Sequence, residues 1–227
     1  MIYIVKHKES NNPVPEGYKE LFVGPLASRN PRTVEPAYQT INHLNPFLSE
    51  ATGLYEIWKN EIDDIVGLCH YRRFFKWRDG ILPFETASKM VEDRKSIIVC
   101  ETENNYPYTC AQYLSLAFGG KFVFLKYFKM ICDANPEAAQ WLMNSVDFHS
   151  REMFVCAREV MSKVICEPLF ELMIPMAERF EKEDASNPSV DPRFLSHVAE
   201  RLISFFVEKS GLRLNALSWF DGQAKMM

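Results

Sequence analysis

The run Ile65-Val-Gly-Leu-Cys69 constrains the fold more than any other stretch. It is apolar throughout, has the length of one strand, and follows the acidic pair Asp63-Asp64. A strand with one wet face alternates apolar and polar residues, so a continuous run demands cover on both faces. That means a parallel or mixed sheet with helices packed against it. Helices are predicted in plenty. Asn45-Pro46 combines an N-cap residue with proline at the first helical position. Phe47, Ala51, Leu54, Tyr55 and Trp58 then recur at helical spacing, which predicts an amphipathic helix over 46–60. Further helices are predicted over 86–94, 109–117, 121–133 and 136–143. A long one over 159–182 should bend or break near Pro168 and Pro175, and one over 193–210 is closed by Gly211. Apolar runs at 2–5, 21–23, 96–100, 153–156 and 212–217 read as strands. Strands and helices alternate up to about residue 100 and helices dominate afterwards. The expectation is an α/β fold with a mixed central sheet and a helical C-terminal layer.

Charge narrows the partners. The chain has 26 Lys and Arg against 30 Asp and Glu, a net charge of −4. Bulk charge therefore argues against nucleic acid or another extended polyanion, and any anion site must be a local basic patch. No apolar run approaches the roughly 18–20 residues that span a bilayer. The opening Met1–Lys8 has too short an apolar stretch for a leader and no small-residue cleavage site. The six cysteines are scattered without a CxxC and read as reduced core thiols. A cytoplasmic location is expected, with contact at the inner membrane face left open.

The carboxyl end of the Ile65–Cys69 strand carries the chemistry. In open α/β sheets, ligands sit outside the carboxyl ends of the strands. Here the strand runs into His70-Tyr-Arg-Arg73, with Lys76 and Arg78 close behind. Arginine grips phosphate oxygens in bidentate fashion, so a diphosphate or phosphosugar fits this end. The competing reading is a surface patch paired with the chain's own acids, Glu61 or Asp79. If the strand continues through residue 73, His70 and Arg72 share one face, and Tyr71 and Arg73 the other. Alternation also points Cys69 and His70 to opposite faces, which argues against a Cys–His nucleophile. His197 and Glu200 lie three apart on a predicted helix, too few ligands for a metal site. Glu101 and Glu103 follow the 96–100 strand and are the alternative metal ligands, or an exposed polar loop. The aromatics between Tyr106 and Phe128 read as core, with a sugar-stacking surface as the rival.

The residues also resemble a family. Ile41-Asn42, Leu44-Asn-Pro46, Glu50, Leu54-Tyr55 and Ile57-Trp-Lys-Asn60, running into Val66-Gly-Leu-Cys-His-Tyr-Arg-Arg-Phe-Phe75, resemble bacterial capsular and exopolysaccharide biosynthesis proteins. That family is largely a domain of unknown function, usually described as glycosyltransferase-like. Weaker matches include His7-Lys8, Val23-Gly24, His149, Met153-Phe154, Arg193 and Glu200-Arg-Leu202. The family often has Asn at the position of Glu152 and Gly-Phe at Ser196-His197.

The resemblance implies a single Rossmann-like nucleotide-diphosphosugar transferase (GT-A-like) domain over 1–227. Residues 1–105 would form the donor half and 106–227 the acceptor half. It implies sugar transfer from a nucleotide-sugar, a UDP-sugar first among candidates, to a glycan or lipid-linked glycan, with no tightly bound cofactor. The alternative is a non-catalytic carbohydrate or nucleotide-sugar binding module of the same fold. Transferases of this fold usually hold a divalent metal with Asp-x-Asp, which this chain lacks. Arg72 and Arg73, with His70, would then supply the positive charge in the metal's place. The metal requirement stays open. His7, Lys8, Asn42, Asn45 and Tyr71 join them as donor-binding candidates. Glu200 and Glu152 are the candidates to take the acceptor's proton, with His70 as a third catalytic candidate.

Overall fold

The structure, a computed structural model, describes residues 1–30, 38–60 and 63–221. Glu61, one suggested partner for the basic patch, lies outside the described residues. The strands in chain order are β1 (Ile2–Lys6), β2 (Tyr18–Phe22), β3 (Ile65–His70), β4 (Arg73–Trp77), β5 (Gly80–Ile81) and β6 (Ser96–Cys100). They continue with β7 (Thr102–Asn104), β8 (Asp147–His149), β9 (Phe154–Ala157), β10 (Arg213–Leu217) and β11 (Trp219–Asp221). The α-helices are α1 (Asn45–Leu48), α2 (Glu50–Asn60), α3 (Phe84–Val91), α4 (Cys110–Leu114), α5 (Lys121–Ala134), α6 (Pro136–Asn144), α7 (Arg158–Val160), α8 (Glu167–Glu183) and α9 (Phe194–Lys209).

The apolar run is a central strand, as its pattern demands. The main sheet runs β10-β6-β9-β3-β1-β2. β1 is parallel to both β2 and β3, β10 is parallel to β6, and β9 is antiparallel to both β3 and β6, so the sheet is mixed. Alternate residues feed two cores. Val66, Leu68, Ile97, Val99, Phe154 and Cys156 face a large core with α2, α5, α6, α8 and α9. Cys69, Ile98, Cys100 and Val155 face a smaller one with α3 and the β4–β5 hairpin. Close packing sets one glycine: a Cβ on Gly53 would meet both Val5 methyls at 2.7 Å, so α2 can press on β1 only without a side chain there.

Several elements differ from the sequence reading. The predicted 46–60 helix is broken at Ser49, which takes φ +46 between α1 and α2. The β3 strand does not continue through 73. It ends at His70, turns through Tyr71-Arg72, and returns as β4 with His70 opposite Arg73. Cross-strand partners share a face, so His70 pairs with Arg73 and not with Arg72. The long helix is interrupted by a π-type stretch at Met161–Cys166, and α8 then runs through Pro175 to Glu183. Pro168 falls in the first turn of α8, where a missing N–H costs no hydrogen bond. The 109–117 helix shortens to α4, capped by the reciprocal Thr109 and Gln112 bonds, followed by a π-type turn over Ser115–Gly119.

Candidate functional site

A cavity of about 450 Å³ opens at the carboxyl ends of β1 and β3. Its walls come from residues just past β1, the β3–β4 turn, the junction of α1 and α2, the stretch from Glu103 to Phe118, the β8–β9 connection and one side of α9. His7, Lys8, Asn45, His70, Tyr71, Arg72, Arg73, Glu152 and Glu200 all line it. The topology thus brings together nearly every residue singled out from the sequence. Asn42 does not line the cavity. Its amide bonds both the N–H and the carbonyl of Gly24, at 2.7 and 3.2 Å. Asn45 lines the wall, but its amide donates to the Ser49 carbonyl at 3.0 Å and to the Thr52 hydroxyl at 2.7 Å, fixing the kink between α1 and α2.

That kink places Glu50 at the first turn of α2, facing His70. The His70 Nε2–H donates to Glu50 Oε1 at 2.5 Å, and its Nδ1 accepts the Arg72 N–H at 3.3 Å. Burial alone would raise the Glu50 carboxyl, but the His70 bond and charge overcome it and hold the group down at about 2. His70 lies against the Tyr71 ring at 4.3 Å, His7 meets Tyr71 edge-on at 5.0 Å, and the Lys8 ammonium sits 5.5 Å from the same ring. Burial pulls the His7 imidazole below its ordinary value.

The basic cluster keeps unsatisfied donors. The Nε atoms of Arg72, Arg73 and Arg151 are all buried without a partner. Neither Arg72 nor Arg73 makes an ion pair among the described residues, Asp79 included. Burial lowers the Arg73 guanidinium, and the adjacent Arg151 and Arg72 charges lower it further. Buried donors without acceptors are rare and ask for an explanation. A bound anion answers that for three converging guanidiniums.

The acids divide into two kinds. Glu200 is anchored: its Oε1 accepts the Arg151 N–H at 2.5 Å and its Oε2 accepts from Arg201 at 3.0 Å. Burial works against its charge, but His197, Arg201 and the Arg151 amide together hold it low. Glu152 is the opposite. It is buried, its Oε2 has no partner, and burial with the nearby Glu50 and Glu200 charges pushes it well above the usual carboxylate range. Arg151 and Glu152 both take the left-handed backbone, at φ +74 and +53. Two such residues in succession are strained, and strain of this kind clusters at functional sites.

Glu103 lines the cavity but pairs with Arg151 at 2.5 Å, and Glu101 is exposed outside it. Among the described residues no three His, Cys, Asp or Glu gather as a metal would require. Cys69 is buried in the smaller core, on the far side from His70's partner Glu50, and burial pushes its thiol up. The aromatic stretch splits. Phe124 and Tyr127 are core, Tyr113 and Phe118 line the cavity, and Tyr106 and Phe122 are exposed. Phe118 stacks on His197 at 3.7 Å.

The sequence reading missed Arg151 and gave Glu50 no role. Arg151 sits in an irregular connection with no periodicity. Its one signal is a charged pair, Arg151-Glu152, wedged before the apolar Met153-Phe154. A second cavity of about 330 Å³ at the amino end of β3 is lined by Asp64, Arg94, Glu159 and Lys163. Its charges pair with each other at the surface, and none of its described polar atoms is buried without a partner.

A family model described as "Domain of unknown function (DUF4422)" matches residues 1–211. No curated protein matches the chain. Among solved structures, the chain is similar to one titled "WbbM bifunctional glycosytransferase apo structure", at 20% identity and a TM-score of 0.71. The match covers 97% of this chain but 45% of that one, so it spans less than half of that protein's length. A likeness at this identity shows the fold.

Proposed function

The chain belongs to the DUF4422 family, and we propose that it is a glycosyltransferase moving a sugar from a nucleotide-diphosphate donor to a glycan. The reading rests on one observation above all: three buried, unpartnered arginine Nε atoms converge at the carboxyl end of a central strand. The fold's likeness to a glycosyltransferase chain supports it. Arg72, Arg73 and Arg151 grip the diphosphate, and their charge stabilises it as it leaves. His7, Lys8 and Tyr71 hold the base and ribose, with a UDP-sugar the first candidate. His70, oriented by Glu50, faces the same anion with its turn.

In the transfer, an acceptor hydroxyl attacks the donor's anomeric carbon. The bond from that carbon to the diphosphate oxygen breaks, the electron pair leaves with the nucleoside diphosphate, and the hydroxyl proton passes to Glu152. Its Oε2, buried in the cavity wall without a partner, is the atom that takes it. Glu200, with its oxygens taken up, positions the Arg151 backbone. The acceptor in this reading is a surface-polysaccharide precursor, capsule or exopolysaccharide, met at the inner membrane face. No helix among the described residues is long and apolar enough to cross a membrane.

The test is thermal shift and product analysis with a panel of nucleotide-sugars, with and without Mn²⁺. A donor at roughly 100 times its Kd adds about 2.7 kcal/mol of stability. A shift with one donor, followed by its slow hydrolysis or transfer, supports the enzyme. A shift with no turnover points to a binding module instead. Transfer that needs Mn²⁺ and survives Arg72→Ala refutes the arginine grip.

A further inference from the structure

We propose that Trp219 is a positioning residue for the anion site, its indole ring engaging both the Arg73 and the Arg151 guanidiniums. The proposal rests on the diphosphate reading of the cavity. The Arg151 guanidinium carbon lies 4.8 Å from the Trp219 ring centre and that of Arg73 lies 5.4 Å from it. Both side chains carry a buried Nε without a partner. Two like charges this close repel, and the cost rises where water is scarce. The burial and mutual repulsion already described for Arg73 express that cost. A ring's negative face offsets it without using up the N–H donors, which stay free for phosphate oxygens. Glu103 helps on one side only, through the Arg151 Nη2. The Glu50 and Asp221 charges also favour the Arg73 charge, and the Trp219 ring is the contact it shares with Arg151.

The placement is built by the last strand. β11 runs antiparallel to β4, with Trp219 opposite Phe75, and the Lys76 N–H donates to the Ser218 carbonyl at 2.8 Å. This strand lies past residue 211, where the family match ends. The group that pairs the two arginines therefore comes from a part of the chain that the match does not cover.

Trp219 also packs against the smaller core, so the test must separate packing from charge. Trp219→Phe keeps an aromatic face, and Trp219→Leu keeps apolar bulk without one. Binding of inorganic diphosphate to the full chain is measured by calorimetry for both, beside Arg73→Ala and Arg151→Ala. The leucine variant should bind about 5- to 30-fold more weakly, and the phenylalanine variant within about threefold of the parent. Equal binding by the parent and the leucine variant, while both arginine variants lose affinity, overturns the proposal and leaves the diphosphate reading intact. If the arginine variants also bind like the parent, the diphosphate reading falls first. A measurement on the unaltered chain guards against misfolded variants. Of the four tryptophan indole N–H resonances, the one absent from Trp219→Phe should move as diphosphate saturates. A resonance that stays still overturns the proposal.

Discussion

Glu50→Gln isolates the carboxylate that orients His70. Glutamine keeps an oxygen that can accept the Nε2–H and removes the charge. The Glu50 carboxyl lies at about 2 in the folded protein against 4.5 for an ordinary one. At about 1.36 kcal/mol per pKa unit, its charged form contributes roughly 3 kcal/mol at neutral pH. The folded-state value is depressed, so this stability is fully present above about pH 4.5 and is lost as pH falls toward 2. At pH 3 roughly 1.5 kcal/mol should remain by the same linkage. Urea unfolding of the parent and the Gln variant at pH 7 and pH 3 measures both gaps. The difference should shrink by roughly half on acidification. A gap that stays constant or widens in acid would refute the claim that Glu50 is held as a buried carboxylate by His70.

Glu152→Gln should lower transfer by roughly 10²- to 10⁴-fold while the donor still binds, checked by turnover and calorimetry on one preparation. The same substitution should raise thermal stability above neutral pH. The folded-state value of Glu152 lies above the unfolded one, so the parent loses stability as pH rises between them, and glutamine does not titrate. Equal melting temperatures at pH 8 would contradict this. Cys69→Ala should keep turnover within about twofold and cost roughly 1–2 kcal/mol in urea unfolding, because the thiol packs in the smaller core and touches no reacting group. Loss of turnover without loss of stability would restore the nucleophile that its orientation argues against.

Much of the sheet was legible because burial leaves a local trace. The run at 65–69 had to be covered on both faces, and it is, by two separate cores. The basic end of that strand was legible for the same reason: four polar side chains directly after five apolar ones mark a strand leaving the core. The turn at Tyr71-Arg72 was not legible, since nothing in His70-Tyr-Arg-Arg-Phe distinguishes a hairpin from a strand that continues. Its consequence is large, because the turn decides that His70 and Arg73 share a face. The break at Ser49 was equally silent, although it places Glu50 against His70.

By its sequence alone, this chain determined a mixed α/β sheet and one cationic strand end. These follow from short-range patterns, in which each residue's neighbours are one to four positions away. Only the tertiary structure decided which acid is free. In the sequence Glu200 matches the family pattern and Glu152 departs from it, and both are candidates to take the proton. Folding carries Glu200 to the Arg151 amide, 49 residues distant, and leaves the Glu152 Oε2 without a partner. It also brings Trp219 beside Arg73 and Arg151 from the far end of the described chain. Contacts made over such separations have no period to read, because they depend on how strands are ordered in the sheet and on where each loop turns.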